Sequence, residues 1–363
     1  MSTIANESSQ SDEPSHEMSS FEVHLNDWVG PDHVDENQIL RPGKILEWMD
    51  EVGSLVATRY NRAPAVTASL DGFTLRHPIK LGARVSISGR VCFTSPRSLG
   101  IAVSLDHWNP DKEHTEKNTV EGYLVFVAMS PEGIPMPITP YRPQSKVDQV
   151  LYEHGKLRHD FRQRLKNKAH MAQSQKKDPR IESLSIISDF IRDMPKSMLK
   201  PMQIRNPLKY RPQYDSYIHK VEPVFQRHLN FHGTLYGGIL MNWVERACCM
   251  SAQAHIFGES CAMESVHGLN FLESIAKHVF VHIKARVVHT NRSSMTVFVQ
   301  VESEDPIKGR LRKCMEAFLT YRPLKKCLVP QVNIGTDEEK SIFGEVEMRL
   351  GMHQDLWVDQ AVC

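Results

Sequence analysis

The sequence predicts an α+β protein made of two tandem copies of one unit, each a curled antiparallel sheet wrapped around one long buried helix. Three pairs of anchors carry that prediction. Gly43, Trp48 and Asp50 are echoed by Gly238, Trp243 and Glu245, an offset of 195 (43 to 238). The stretch Thr67 to Gly72 is echoed by Glu264 to Gly268, and Phe93 to Leu99 by His289 to Met295, offsets of 196 (72 to 268 and 98 to 294). One slip across three ordered anchors points to duplication, and a duplicated unit that differs at polar positions often shares one site between its copies.

Each copy opens with a loop that leads into a strongly apolar helix. In the first, Ile45, Leu46, Trp48, Met49, Val52, Leu55 and Val56 recur at helical spacing; in the second, Ile239, Leu240, Met241, Trp243, Val244, Ala247 and Cys248 do so. These positions spread over more than one face, which predicts a helix buried along most of its length. Trp48 and Trp243 belong to the core. Strands follow, read from period-two alternation at Arg84 to Val91, Leu99 to Leu105 and Val120 to Val127. Their echoes are Val279 to Val287, Met295 to Val301 and Arg312 to Tyr321.

The predicted organisation is a disordered tail over 1–20, a first domain over 21–143, a charged and partly helical linker over 144–214, a second domain over 215–325 and a C-terminal tail over 326–363. Within the linker, Ser145 to Gln175 reads as a polar helix and Ile181 to Ile191 as a short amphipathic one. The 363 residues suffice for two domains. A net charge of +1 gives no reason to expect nucleic acid as a partner. No apolar run approaches the roughly 20 residues that cross a bilayer, so no membrane insertion is expected. The Ser- and Glu-rich N-terminus lacks the basic residues of secretory or mitochondrial leaders. Seven cysteines at no metal-ligand spacing read as buried free thiols in a reducing compartment, and the expected localisation is cytoplasmic.

The chemistry concentrates before the second helix, where Asn230, Gly233, Gly237 and Gly238 are followed by Glu245. Paired glycines at a helix start let a ligand approach the backbone, with unpaired N–H groups and the positive helix end turned toward it. Such a place suits a carbonyl oxygen that becomes negative during reaction. Asn230 supplies a neutral amide. His228 and His232 flank it, but their spacing on a loop gives them no assigned role.

With these motifs, and with Val66 to Asp71 and Ile87 to Ser95, the sequence resembles the double-hotdog acyl-CoA thioesterases of the cytosolic acetyl-CoA hydrolase and brain acyl-CoA hydrolase type. The resemblance covers residues 22 to 143 and 215 to 325. It implies two tandem hotdog domains with a composite site, the Asn from one and the acid from the other. Here the first copy departs from the motif: Asp35, Gln38 and Pro42 stand where the second has Asn230, Gly233 and Gly237, yet the acid position holds Asp50. The resemblance therefore implies one working site. Asp50 is the general base, or alternatively the nucleophile; Asn230 orients water or thioester; the Gly237 N–H holds the oxyanion. Gly238, Thr67, Ser69, Arg97 and Arg292 complete the expected substrate-binding set, with Thr67 and Ser69 holding Asp50 or the water and the two arginines meeting the CoA phosphates. Glu245 is read as structural.

The expected activity is hydrolysis of acyl-CoA to free fatty acid and CoA, with no metal and no cofactor. The expected assembly is a homo-oligomer, a trimer of double-hotdog units. Relatives of this type usually carry a C-terminal lipid-binding domain of the START type, and the residues after the second repeat are too few to form one. Two alternatives accompany this reading: an acyl-CoA-binding protein without catalysis, and an enoyl-CoA hydratase, for which Asp32, His33 and Asp35 lie at the wrong spacing.

Overall fold

A computed structural model describes residues 22–110, 115–175, 210–325 and 327–358, with 168–175 and 352–358 as backbone only. The expected tail over 1–20 and the short helix at Ile181 to Ile191 lie outside these residues. The first repeat runs β1 (Glu22–Trp28), α1 (Pro42–Asn61), β2 (Ala65–Leu75), β3 (Arg84–Thr94), β4 (Leu99–Trp108) and β5 (Glu116–Ala128), followed by α2 (Lys146–Gln175). After β6 (Tyr210–Pro212), the second repeat runs β7 (Ile218–Pro223), α3 (Gly237–His255), β8 (Cys261–Phe271), β9 (Phe280–Thr290), β10 (Met295–Asp305) and β11 (Arg310–Pro323). The described chain closes with β12 (Gln331–Asn333) and α4 (Asp337–Val358).

The expectation of two separate curled sheets, each wrapped around its own helix, is corrected. Ten strands form one continuous open sheet in the order β1-β3-β4-β5-β2-β8-β11-β10-β9-β7. The halves join where β2 pairs antiparallel with β8, Leu70 opposite Leu269 and Phe73 opposite Val266. Joining there removes one exposed edge from each half, since an unpaired row of backbone N–H and C=O groups is a liability. Among the described residues the sheet does not close into a barrel: β1 pairs only with β3, and β7 only with β9.

Neither α1 nor α3 is enclosed by its own strands alone, and each covers the other. Side chains from both helices, including Leu46, Met49, Met241 and Val244, join a single core cluster with inward residues of both half-sheets. The echoed glycines explain the close crossing. A Cβ at Gly43 would lie 2.8 Å from Asn242 Oδ1 and 3.1 Å from its Cα, and one at Gly238 would lie 3.0 Å from Glu47 Cα. Asn242 Nδ2 also donates to Glu47 Oε2 at 3.0 Å across the crossing. The two pairs, 43 with 242 and 238 with 47, are the same contact seen from each repeat.

The duplication extends past the strands. On the opposite face of the first half-sheet, Leu151 and Tyr152 of α2 pack on Cys92, Phe93 and Tyr123. On the second, Ile342 and Val346 of α4 pack on Val288, Phe298 and Phe318. Arg158 lies over the Tyr123 ring at 3.5 Å from its centroid, and Arg349 over Phe318 at 4.9 Å. The two outer helices are thus equivalent parts of the repeats. Among the described residues no helix is long and apolar enough to cross a membrane.

Candidate functional site

The loop before α3 is shaped by Asn230. Its Oδ1 accepts the His232 and Thr234 N–H groups at 2.9 and 3.2 Å and the Thr234 hydroxyl at 3.2 Å. Gly233 follows at φ 71°, a left-handed conformation that costs glycine nothing. The first repeat builds the same loop. Asp35 Oδ1 accepts the Asn37 and Ile39 N–H groups, both at 2.9 Å, and Gln38 takes φ 61°. The fold of the loop is therefore indifferent to the exchange of Asn for Asp; the chemistry is not. In each case the Oδ1 atom is engaged in the turn, and the remaining atom is an amide donor at Asn230 and a carboxylate oxygen at Asp35.

α3 begins at Gly237, and its first N–H groups have no partner within the helix. The Gly238 N–H donates to Asp50 Oδ2 at 2.7 Å. Thr67 Oγ1, on β2, donates to Asp50 Oδ1 at 2.6 Å. Asp50 is fully buried, in the third turn of α1. Burial pushes its carboxyl from 3.8 up to about 6, against the hydrogen bonds of Thr67, Gly238 and Tyr236, with Glu47 adding a smaller upward push. Gly237 lies against the pair: a Cβ there would stand 3.1 Å from both Asp50 Oδ2 and Thr67 Oγ1. A side chain at this position would press on both groups.

The mirror position keeps the outline, a buried acid facing the N–H of the equivalent glycine, but differs in the side chains around it. Glu245 is buried, and burial pushes its carboxyl up to about 7, opposed by the Tyr321 hydroxyl and the Gly43 N–H. The Tyr321 hydroxyl stands 3.4 Å from Glu245 Oε1. Met263 pairs with Tyr321 as Thr67 pairs with Phe126, so the hydroxyl that meets the acid has moved to the neighbouring strand. Pro42 replaces Gly237 and brings no N–H.

Of the residues expected from sequence, Asp50, Gly237, Gly238 and Thr67 come together directly. Asn230 joins them through its loop and makes no bond to Asp50. The donor to Asp50 is the Gly238 N–H; the Gly237 N–H is left without an acceptor among the described residues. Ser69 turns away, its hydroxyl donating to Asp71 Oδ1 at 2.8 Å. Arg97 lines a cavity of about 1070 Å³ between α2 and α4, across the sheet from Asp50, and Arg292 is exposed in the β9–β10 turn. Neither arginine touches the Asp50 cluster.

Sequence reasoning missed Tyr236. Its hydroxyl lies 3.4 Å from Ser54 Oγ and bonds Asp50, and burial beside that carboxyl pushes its own pKa upward. The signal was its place directly before the glycine pair, where the first repeat has Arg41.

Comparison with known proteins agrees with this duplication. The thioesterase superfamily matches at residues 38–106 and again at 232–309. Both repeats are matched. Among curated proteins, the cytosolic acyl coenzyme A thioester hydrolase of Mus musculus is 32% identical over 139 residues, 38% of this chain and 35% of that protein. The acetyl-coenzyme A thioesterase of Mus musculus is 25% identical over 346 residues, 90% of this chain and 56% of that protein. The chain thus spans only part of the length of either relative. A crystal structure of a putative oleoyl thioesterase from Lactobacillus plantarum superposes with a TM-score of 0.50 at 12% identity. It covers 84% of this chain and 97% of that one, a likeness of fold.

Proposed function

We propose that the chain hydrolyses acyl-CoA thioesters to the free acid and CoA at one composite site, formed by Asp50 and Thr67 of the first repeat and the Asn230 loop and Gly237-Gly238 of the second. The observation that carries this reading is a buried carboxyl held near 6 within hydrogen-bond reach of another repeat's helix start. Such a group is ionised at neutral pH and basic enough to take a proton. Asp50 removes a proton from water, the water oxygen attacks the thioester carbonyl, and the Gly237 N–H receives the oxyanion at the positive end of α3. The Asn230 amide donates to the water or the carbonyl. Collapse expels the CoA sulfur, which leaves as the thiol with the proton carried by Asp50. Both Asp50 oxygens already accept a hydrogen bond, which dampens each as a nucleophile and favours the base over direct attack.

The names of the matched relatives support the substrate class. The mirror position lacks the Pro42 N–H and has Asp35 where an amide donor is needed, so one site is assigned. Assembly as a trimer of such units rests on the resemblance, and a cytoplasmic location on the reading of the cysteines as free thiols; light scattering of the purified protein tests the former.

The functional test is thiol release from a ladder of acyl-CoAs, acetyl to palmitoyl, with wild type and Asn230→Ala. Turnover of some member by wild type and its loss in the variant support the reading. Binding of acyl-CoA without turnover anywhere on the ladder would replace it with that of a binding protein.

A further inference from the structure

β2 is not a regular strand. Opposite β5, Thr67 pairs with Phe126 and Ser69 with Val125, so Ala68 is an extra residue. Residues two apart on a regular strand share a face; the bulge sends Thr67 and Ser69 to opposite faces. Thr67 turns inward with Phe126 and donates to Asp50. Ser69 turns outward and donates to Asp71 Oδ1. A second extra residue, Asp71, lies between Leu70 and Gly72.

Asp71 is held from the other side of the sheet. Arg162 of α2 forms an ion pair with Asp71 through Nη1 and Oδ2, with both side chains largely buried. Arg162 Nη2 also approaches His159 Nδ1 at 3.4 Å, on its own helix. A charged pair shielded from water is directional and resists displacement, unlike an exposed one. The chain of contacts runs Arg162, Asp71, Ser69, then through the bulge to Thr67 and Asp50.

The second repeat has the bulge without the clamp. Met263 and Ser265 are opposite Tyr321 and Thr320, skipping Glu264. His267 stands at the place of Asp71 and bonds Ser265 and Thr320 through Nε2. Arg349 of α4 donates to the His267 carbonyl, at 3.1 Å, and pairs with Glu345 on its own helix. The arginine–aspartate clamp therefore backs the one bulge whose inner residue carries a hydroxyl to a buried acid.

We infer that Arg162 is a positioning residue for the Asp50 site: through Asp71 and Ser69 it fixes the bulge that aims the Thr67 hydroxyl at Asp50, making the outer helix α2 part of the working unit. This rests on the proposed function only for its kinetic consequence. The ionisable groups bearing on Asp50 are Glu47 on its own helix and Tyr236 at the start of α3, while β2 contributes the Thr67 hydroxyl. The Thr67 bond holds the Asp50 pKa down, so a loosened Thr67 lets it rise. The acidic limb of the rate profile then moves to higher pH.

The experiment compares Arg162→Met, Arg162→Lys, Asp71→Asn and Arg158→Met in the full chain. Arg158→Met removes a different α2 contact with the sheet, the one over the Tyr123 ring. Arg162→Met and Asp71→Asn are expected to lower kcat about tenfold with KM little changed. Both are also expected to move the acidic limb up by about half a pH unit. Arg162→Lys, which can still pair with Asp71, should restore the limb, and the Met–Asn double variant should be no worse than either single one. An unmoved limb in Arg162→Met and Asp71→Asn, with thermal stability falling as in Arg158→Met, would make the pair a fold contact and overturn the inference. Should wild type hydrolyse nothing, the Asp50 titration followed by carboxyl carbon NMR in the same proteins decides the matter independently of activity. A rise in Arg162→Met supports the clamp, and an unchanged Asp50 pKa refutes it.

Discussion

Replacing Asp50 by Asn should make the protein more stable and less active, with a pH dependence that identifies the cause. Buried Asp50 has its carboxyl at about 6, against 3.8 for the ordinary group. Because the folded-state value is the higher one, the folded protein holds the extra proton between about pH 4 and 6. Stability therefore falls as pH rises through that window and stays lower above it. At about 1.4 kcal/mol per unit, the penalty above pH 7 is about 3 kcal/mol. Asn carries no charge and keeps an oxygen for the Gly238 N–H, while the Thr67 and Tyr236 hydroxyls can rotate to accept from its amide. The variant should thus gain about 1–3 kcal/mol over wild type at pH 8 and nothing at pH 4. Urea unfolding at both pH values measures it, with hydrolysis assayed in parallel. A difference between the proteins that stays constant from pH 4 to 8 would refute the argument that a strained carboxylate sits at this position.

Three further outcomes follow from the same geometry. Glu245→Gln should also gain stability, growing from about pH 4.5 and reaching about 3 kcal/mol at most above pH 7, while hydrolysis is unaffected; loss of turnover would place the reaction at the mirror position. Asn230→Asp should fold with stability within about 0.5 kcal/mol of wild type, because Asp35 already closes the same turn, yet lose at least about a hundredfold in kcat. Equal activity in that variant would remove the amide donor from the mechanism. Gly237→Ala should cost about tenfold to a hundredfold in kcat with little loss of thermal stability. The atoms nearest its Cβ are Asp50 Oδ2 and Thr67 Oγ1, both at 3.1 Å.

Much of the fold could be read from side-chain periodicity. The helices Pro42–Asn61 and Gly237–His255 and the last three strands of each repeat, from Arg84 and from Phe280, announce themselves because one face or more is buried. β1 and β7 were not legible: they are short edge strands, and β1 buries only Val23 fully, too little for an alternating signal. α4 fell within a stretch read as a tail. Its apolar residues Ile342, Phe343, Val346 and Leu350 make sense only beside the sheet face they cover.

For the site, the sequence by itself determined the duplicated motif and the missing glycines of the first copy, while the expectation that Asp50 works with the Asn230 segment came from the family resemblance. Those are matters of residue identity at matched positions, and identity is what a sequence records. The tertiary structure alone decided that the two halves share one sheet, that Gly238 is the donor to Asp50, and that Ser69 faces Asp71. It also decided that Arg97 lies across the sheet from the site. Strand pairing between β2 and β8 is made by backbone groups common to every residue, and a bulge reverses the face of a side chain without changing its name. Those outcomes depend on which segments meet, so they appear only once the chain has folded.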